Sequence, residues 1–175
     1  MNVPAAAFIL GDARDFHFSP RFAGALSTFD SLNYVLTAGE LLDVFRNVHH
    51  ALLPNGRFVF DLNLEERYRD YWGSTCSTVD DEHACFIRGS YDSETRIGRT
   101  EVTLFRAAAP DWRREDVLLL QRFHPADEVL TLLQRAGFHR AECLNAASDL
   151  GIHGHFSVAR GVFTATKSAD AVDFR

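Results

Sequence analysis

Residues 37–63 read TAGELLDVFRNVHHALLPNGRFVFDLN and predict a helix, a turn and a buried strand in that order. Thr37 can cap a helix that has Glu40 at its third position, and six apolar residues then recur at helical spacing: Leu41, Val44, Phe45, Val48, Leu52 and Leu53. Pro54-Asn55-Gly56 ends this helix, because proline cannot continue the hydrogen-bond ladder and Asn-Gly readily takes positive φ. The run 57–62 is then typical of a buried strand.

Two apolar runs, 5–10 and 24–29, precede this unit. The first stops at Gly11-Asp12 and the second at Asp30-Ser31, which is how buried parallel strands end at the edge of a sheet. The resulting order of strand, strand, helix, turn and strand predicts an α/β fold. Ligands of such sheets bind beyond the carboxyl ends of the strands.

The second half of the chain has a different pattern. Three extended stretches with partial alternation predict an antiparallel meander at 86–92, 95–106 and 116–124. Pro125 suits a first helical turn, and an amphipathic helix over 126–135 ends at Gly137. Two closing strands follow at 139–145 and 159–166. We expect one domain over 1–167, with a meander at about 85–124 as a lid and a disordered tail at 168–175.

Composition narrows the classes of function. The chain has 175 residues, of which 46% are hydrophobic, and a net charge of -6 that offers no basic surface to nucleic acid. We predict no signal peptide, and no apolar run approaches the roughly 20 residues that cross a bilayer. Three widely spaced cysteines, Cys76, Cys85 and Cys143, indicate reduced thiols. We expect a cytoplasmic protein with a small-molecule substrate and with neither nucleic acid nor membrane as a partner.

Five strings, in order, resemble class I S-adenosylmethionine-dependent methyltransferases. They are GDARDF (11–16), STFDSLNY (27–34), LPNGRFVFDLN (53–63), LQRAGF (133–138) and RGVFTA (160–165). The resemblance covers nearly the whole chain. It implies a partial Rossmann-like α/β sheet, mostly parallel with an antiparallel last strand, and an inserted antiparallel meander. It also implies S-adenosylmethionine as the cofactor, bound across the carboxyl ends of the family's first four strands.

The glycine-rich loop that holds the methionine part of the cofactor in this family has no counterpart in the sequence, which contains no G-x-G pattern. The run 5–10 matches the third strand of the family, so about two strand–helix units are expected to be missing. A misassigned start codon, a gene fragment and a reduced protein all remain open. We expect weak or absent cofactor binding, and either a first strand that moves beside its neighbour or a bare sheet edge that recruits a second chain as a possible homodimer.

The resemblance assigns cofactor contacts to Asp12, Ala13, Arg14, Thr28 and Phe29. Asp12 matches the position of an acceptor for the adenine amino group, and the backbone N–H of Ala13 that of a donor to the adenine ring. Phe29 could shield the sulfonium or cover the adenine. The alternatives are that Asp12 only ends a strand in a turn and that Phe29 is a core residue.

Candidate substrate contacts are Asp30, Asn33, Asp61, Asn63 and Arg88. The first four follow two predicted strands at one rim, whereas Arg88 lies in the meander. Asp30, His124 and Tyr91 are the candidate bases, although methyl transfer depends mainly on positioning. Most of these residues could equally serve the fold. His153 and His155 would share a strand face, but they lack a third ligand at a recognisable spacing, so no metal is expected.

These observations predict methyl transfer to N, O or C of a small molecule. The rival hypothesis is a non-catalytic interaction module or an inactive subunit that uses the remaining sheet to bind a partner. A hydrolase or nucleotide-binding fold is disfavoured, because the sequence has neither a G-x-S-x-G elbow nor a phosphate-binding loop.

Overall fold

The computed structural model describes residues 6–154 and 157–169, which form two four-stranded sheets and three α-helices. The helices are α1 (Ala38–Ala51), α2 (Glu65–Tyr71) and α3 (Ala126–Arg135), with a short 3-10 helix at Ser31–Tyr34. The strands are β1 (Phe22–Ser27), β2 (Leu52–Asn63), β3 (Thr75–Val79), β4 (His83–Asp92), β5 (Ile97–Ala108), β6 (Asp111–Arg122), β7 (Phe138–Asn145) and β8 (Arg160–Lys167).

The first sheet carries the main core. Its strand order is β1-β2-β8-β7, with β1 parallel to β2 and β8 antiparallel to both of its neighbours. One face packs against α1 and α3 through fully buried aromatic and aliphatic side chains, among them Phe45, Phe58, Phe60, Leu133 and Phe163. The predicted α/β class with an antiparallel closing strand is confirmed.

The helix cap and the left-handed Asn55 form as predicted, but β2 begins directly after α1 and includes the predicted turn. The Thr37 hydroxyl accepts a hydrogen bond from the Glu40 backbone N–H at 3.1 Å and so caps α1 as predicted. Asn55 has φ of 63°, as expected of Asn-Gly, but it lies within β2. The pairing with β1 shifts register here, so the predicted turn becomes a bulge.

The predicted strand at 5–10 is wrong for its described part, residues 6–10. These residues form no strand, and Phe8 and Leu10 are fully exposed. A strand needs a neighbour for its backbone groups, and no strand lies beside this run among the described residues. The run does not move beside β1 either. The chain instead passes along α1, where the Ala13 carbonyl accepts a hydrogen bond from the Asn47 side chain at 3.3 Å.

The second sheet is the predicted meander with one more strand. Its order is β3-β4-β5-β6, and all of its pairs are antiparallel. Strands β5 and β6 extend beyond the predicted stretches 95–106 and 116–124 and are joined by Ala109-Pro110 alone, because they pair as far as Ala108 and Asp111. The mostly polar residues 111–115 can belong to a strand because both faces of β6 are exposed over most of its length.

Helix α2 joins the two sheets by packing on glycines. A Cβ on Gly98 would lie 2.8 Å from the Tyr68 ring, and one on Gly89 would lie 1.7 Å from the Trp72 carbonyl oxygen. Only glycine permits this close approach. Tyr68 is fully buried as a result, and its ring stacks on Tyr91 with the centroids 5.4 Å apart.

Across the described ranges, no helix is both long enough and apolar enough to span a membrane. The predicted disordered tail lies outside the described residues from 170 onward, as does His155.

Candidate functional site

Three strand ends meet at one rim of the first sheet. Strands β1 and β2 are parallel, so both end there, and Asp30 and Asp61 lie at these ends. Strand β8 runs antiparallel to β2, so β8 begins at the same rim, and Arg160 pairs in register with Asn63. The topology therefore brings an arginine to the carboxylates from the far end of the chain.

A cavity of about 250 Å³ opens beside these strand ends. It lies on the sheet face that carries Leu26, Val59 and Val162, since the alternate side chains of β2 and β8 pack against α1 and α3. Its lining consists of Leu26, Ser27, Thr28, Phe29, Val59, Phe60, Asp61, Ala146, Ile152, His153, Ser157, Arg160 and Val162. The walls are mostly apolar, and the charged groups are confined to one side.

Arg160 connects the two carboxylates. Its guanidinium donates to Asp30 Oδ1 at 2.9 Å and to Asp61 Oδ2, and it approaches Asn63 Oδ1 at 3.4 Å. The three charged side chains are only 11–20% exposed. Two carboxylates against one guanidinium leave one net negative charge at the cavity, where poor solvation strengthens its attraction for a cation.

A second group of hydrogen bonds holds these carboxylates from the meander. Gln121, on β6, donates to Asp30 Oδ2 at 2.7 Å, and its carbonyl oxygen accepts from Tyr68 and Asn63 at 3.2 and 3.3 Å. Burial raises the pKa of Tyr68, so its hydroxyl stays a neutral donor. Every polar atom of the Gln121 side chain is thus used between the two sheets.

The backbone at the end of β1 is strained. Phe29 and Asp30 have φ of 61° and 49°, in the left-handed region that non-glycine residues seldom occupy. The Asp30 N–H donates to Asp61 Oδ2 at 3.0 Å, which holds this conformation in place. The Phe29 side chain, 68% exposed, lies at the cavity edge. Such strain concentrates at ligand-binding sites.

The structure brings together several of the candidate residues predicted from sequence. Thr28, Phe29 and Asp61 line the cavity, and Asp30 and Asn63 lie in the hydrogen-bond network beneath it. Asn33 is fully buried and bonds to the backbone N–H of Asn63 and the carbonyl of Arg122. These bonds fit a residue that holds the end of β2 against β6 and does not itself contact a ligand.

The proposed adenine contacts lie elsewhere. Neither Asp12 nor Ala13 nor Arg14 lines the cavity. The Asp12 carboxylate accepts from the Arg14 backbone N–H at 2.8 Å and from its guanidinium at 2.7 Å, and Arg14 also bonds to Glu40 in the first turn of α1. The Asp12 oxygens are therefore already occupied, and the segment that carries Asp12 lies along α1, where Ala13 bonds to Asn47.

The meander candidates also lie outside the cavity lining. Arg88 makes an exposed ion pair with Glu101 at 3.0 Å. His124 is fully buried with Nε2 2.8 Å from the Val35 carbonyl oxygen, and burial lowers its pKa. The Tyr91 hydroxyl has no hydrogen-bond partner within the described part of the chain, and desolvation raises its pKa. No candidate base from the meander faces the cavity.

Arg160, Gln121 and His153 were not predicted as parts of this site. An available signal was the direction of β8, since the first residue of an antiparallel closing strand must lie at the carboxyl rim of its neighbours. Nothing in the sequence marks Gln121, because its role depends on how the meander folds back. In the described ranges, no group of three or more His, Cys, Asp or Glu side chains could hold a metal ion.

The architecture matches solved enzymes. A structure from Clostridium acetobutylicum, described as an S-adenosylmethionine-dependent methyltransferase, aligns with a TM-score of 0.75 at 16% identity over 91% of this chain and 64% of that one. The chain has the fold of the S-adenosylmethionine-dependent methyltransferases. Two further methyltransferases of this fold are a sugar N-methyltransferase from Streptoalloteichus (TM-score 0.71, 19% identity, 90% of this chain and 61% of that one) and an amino pentose methyltransferase from Micromonospora echinaspora (TM-score 0.67, 20% identity, 90% and 63%).

Sequence comparison agrees with this methyltransferase fold. The chain is 24% identical to a Bacillus subtilis protein described as "Putative methyltransferase YqeM". The alignment spans 133 residues, which are 75% of this chain and 54% of that protein. No known family model matches the chain. The chain thus spans about half the length of this relative and less than two thirds of the methyltransferase structures it matches.

Proposed function

We propose that the chain is an S-adenosylmethionine-dependent methyltransferase that acts on a small-molecule amine, held at the cavity between β1, β2 and β8. The observation that carries this proposal is the Asp30–Arg160–Asp61 cluster, which leaves one net negative charge beside an apolar cavity at the carboxyl rim. Strained residues at the end of β1 add support, because such strain marks ligand sites.

The residues present fit part of the cofactor. S-adenosylmethionine supplies a methyl group on a positively charged sulfur. The apolar wall with the exposed Phe29 suits that sulfonium and its carbon substituents, and Thr28 adds a polar contact beside it. At about 250 Å³ the cavity is below the roughly 300–1,000 Å³ common for ligand pockets. It therefore suits the reacting ends of cofactor and acceptor rather than two whole molecules.

The adenine end would require a rearrangement. Asp12 and the Ala13 N–H remain our proposed adenine contacts, but Arg14 now occupies the Asp12 carboxylate. An adenine amino group could bond to the Asp12 carboxylate only after the Arg14 guanidinium has left it. Arg14 would then keep its hydrogen bond to Glu40. The sequence contains no G-x-G loop for the methionine carboxylate. Both features support our expectation of weak cofactor binding by this chain.

The charge of the site favours nitrogen as the methyl acceptor. An amine is drawn to the net negative cluster, and the positive charge that nitrogen acquires on methylation is stabilised there. S-adenosylmethionine would supply the methyl group, and the proton that the acceptor nitrogen must lose would pass to water, because both oxygens of Asp30 already accept hydrogen bonds from Arg160 and Gln121. Two solved structures of the same fold are described as a sugar N-methyltransferase and an amino pentose methyltransferase, which supports a nitrogen acceptor.

Calorimetric titration with S-adenosylhomocysteine, followed by transfer of labelled methyl from S-adenosylmethionine to matched amine and alcohol panels, tests the proposal. We expect a Kd in the high micromolar range, a Kd at least tenfold weaker in Phe29→Ala, and label on amines only. The exposed variant Arg46→Gln is the matched control, since it lies on the outer side of α1. Labelled alcohols would refute the amine assignment, and binding unaffected by Phe29→Ala would refute the site.

A non-catalytic interaction module is the second candidate. The outer edge of β1 pairs with no strand in the described ranges, and Leu26 is 72% exposed. A chain that binds neither S-adenosylhomocysteine nor S-adenosylmethionine at millimolar concentration would support this second function over the first.

A further inference from the structure

Strand β6 presents a long open edge. It is 12 residues long and is the last strand of the second sheet, and its outer side pairs with no strand in the part of the chain that the structure describes. Residues 111–119 are exposed throughout, including Trp112 at 52% and Leu118 at 49%. The last residues of β6 bond to the segment between β1 and α1, through Gln121 to Asp30 and through Arg122 to the Leu36 carbonyl. A long exposed strand edge offers unpaired backbone groups to another strand.

The sequence of this edge is complementary to itself. Residues 112–118 read WRREDVL, with apolar groups at both ends, two arginines and then two acids. An antiparallel pair of identical strands is related by a two-fold axis perpendicular to the sheet, so one residue must face its own copy. With Glu115 on the axis, Arg114 faces Asp116 of the second copy and Trp112 faces Leu118 of the second copy. Side chains at even positions share one face, so all four of these contacts form there.

Neighbouring registers match fewer of these residues. An axis at Arg114 also pairs opposite charges, Arg113 with Glu115 of the second copy, but it sets two arginines face to face and Trp112 against Asp116. An axis at Asp116 sets two aspartates face to face and Arg114 against Leu118. Each of the three registers has one directly opposed like-charged pair, which destabilises a sheet, so the apolar contact of Trp112 with Leu118 is what distinguishes the Glu115 register. In the Glu115 register the like-charged pair is Glu115 with its own copy. Arg113 of each chain lies diagonally across from the Glu115 of the other chain and so offsets their repulsion.

We propose that β6 pairs with β6 of a second copy of this chain, centred on Glu115, so that the two meanders form one continuous eight-stranded sheet. The occupant is a second copy because the charges and apolar groups of the edge match its own sequence in reverse. Arg114 and Asp116 already bond within the chain at 2.9 Å, so the dimer creates an array of four alternating charges. This surface is separate from the cavity, so the inference does not depend on methyl transfer.

A charge exchange tests the register. Light scattering coupled to size exclusion should give twice the chain mass for the native protein, with a dimer Kd at least tenfold weaker in Arg114→Asp and in Asp116→Arg. The double variant Arg114→Asp/Asp116→Arg restores opposite charges across the axis and should recover the dimer. A native chain that stays monomeric up to millimolar concentration overturns the proposal, as does a double variant no tighter than the singles.

A cysteine on the axis gives a second readout that does not depend on dimer strength. In a Cys76→Ser background, which removes the exposed thiol, Glu115→Cys places two Cβ atoms about 4.5–5.5 Å apart. Mild oxidation should join two chains through residue 115. The matched control Arg113→Cys should not cross-link, because the two copies of residue 113 are offset by about 13 Å along the strands. Equal cross-linking at both positions would contradict this register.

Discussion

Arg160 is the residue on which the rim of the first sheet depends. It supplies the only positive charge in contact with Asp30 and Asp61 among the described residues, and its side chain is 11% exposed. Water therefore does little to separate the two carboxylates when the guanidinium is absent. A residue in this position stabilises the fold and sets the charge of the cavity at the same time.

Replacing Arg160 with Met should destabilise the fold by about 3 kcal/mol, because removing one partner leaves a buried charge without compensation. Urea unfolding followed by circular dichroism measures the change. The exposed Arg46→Met is the matched control and should cost less than about 0.5 kcal/mol. An equally small effect at Arg160 would show that the cluster is hydrated and that its charge is screened.

Asp12 provides a pH-dependent prediction at the same scale. Hydrogen bonds from the Arg14 side chain and backbone lower the pKa of Asp12 from 3.8 to about 2. Because the pKa of the folded state is depressed, the pair stabilises the fold above the usual pKa and loses that contribution as the pH falls from 3.8 toward 2. Carbon-detected NMR titration should show the Asp12 carboxyl returning toward its usual pKa in Arg14→Gln.

Asp80 is the internal control for this titration. Backbone N–H groups of Glu82 and His83 lower its pKa, and Arg14 is not among the causes. Its titration should be unchanged in Arg14→Gln. If the pKa of Asp12 also stays low in that variant, the Arg14 side chain is not what holds it down, and Asp12 would be free to meet an adenine amino group.

At the scale of elements, α2 determines how the meander meets the first sheet. Tyr68 reaches Gln121 because its ring packs against Gly98, where a Cβ would lie within 3 Å of it. The sequence predicts the strands on either side of this contact but not the contact itself, since a glycine in a strand has several possible causes.

Gly98→Ala should destabilise the fold by about 1–3 kcal/mol, because the new methyl group overpacks the contact with the buried Tyr68 ring. Thermal unfolding gives the stability, and near-ultraviolet circular dichroism reports on the environment of Tyr68 and Trp72. Gly73→Ala is the matched control, since a Cβ there meets no atom within 4 Å. If both variants behave alike, α2 does not pack on β5 as described.

At the scale of the whole molecule, Gln121 couples the two sheets. It joins Asp30, which follows β1, to Tyr68 on α2, and Asn63 at the end of β2 completes the link. Both tryptophans, Trp72 and Trp112, lie in or beside the second sheet, whereas α1 and α3 cover the first. Fluorescence and helical circular dichroism therefore report on different sheets.

Gln121→Leu should cost about 2 kcal/mol, because Tyr68 and Asn63 lose the buried carbonyl oxygen that accepts a hydrogen bond from each of them. We also expect the sheets to unfold separately, with tryptophan fluorescence changing at a lower urea concentration than the helical signal. The two transitions coincide in a two-state domain, as expected for the native chain. Gln134→Leu, on the exposed side of α3, should leave them coincident. Coincidence in Gln121→Leu would mean that other contacts couple the sheets.

The sequence by itself determined the elements whose signals are local. The capped helix α1, the left-handed Asn55, helix α3 and the strands of the meander follow from patterns within a few residues, because caps, turns and amphipathic periods act over that range. The exposed run at 6–10 has the same local pattern as a buried strand, and it fails because a strand also needs a neighbour.

Only the tertiary structure decided the composition of the site. Arg160 and Asp30 are 130 positions apart in the chain, and Gln121 and Asp30 are 91 apart, so no local pattern could associate them. Strand direction and the fold-back of the meander bring these side chains to one rim, where burial makes their charges and hydrogen bonds effective. The charges that the site presents to a ligand are therefore a property of the folded topology, because residue type alone does not specify which charges meet.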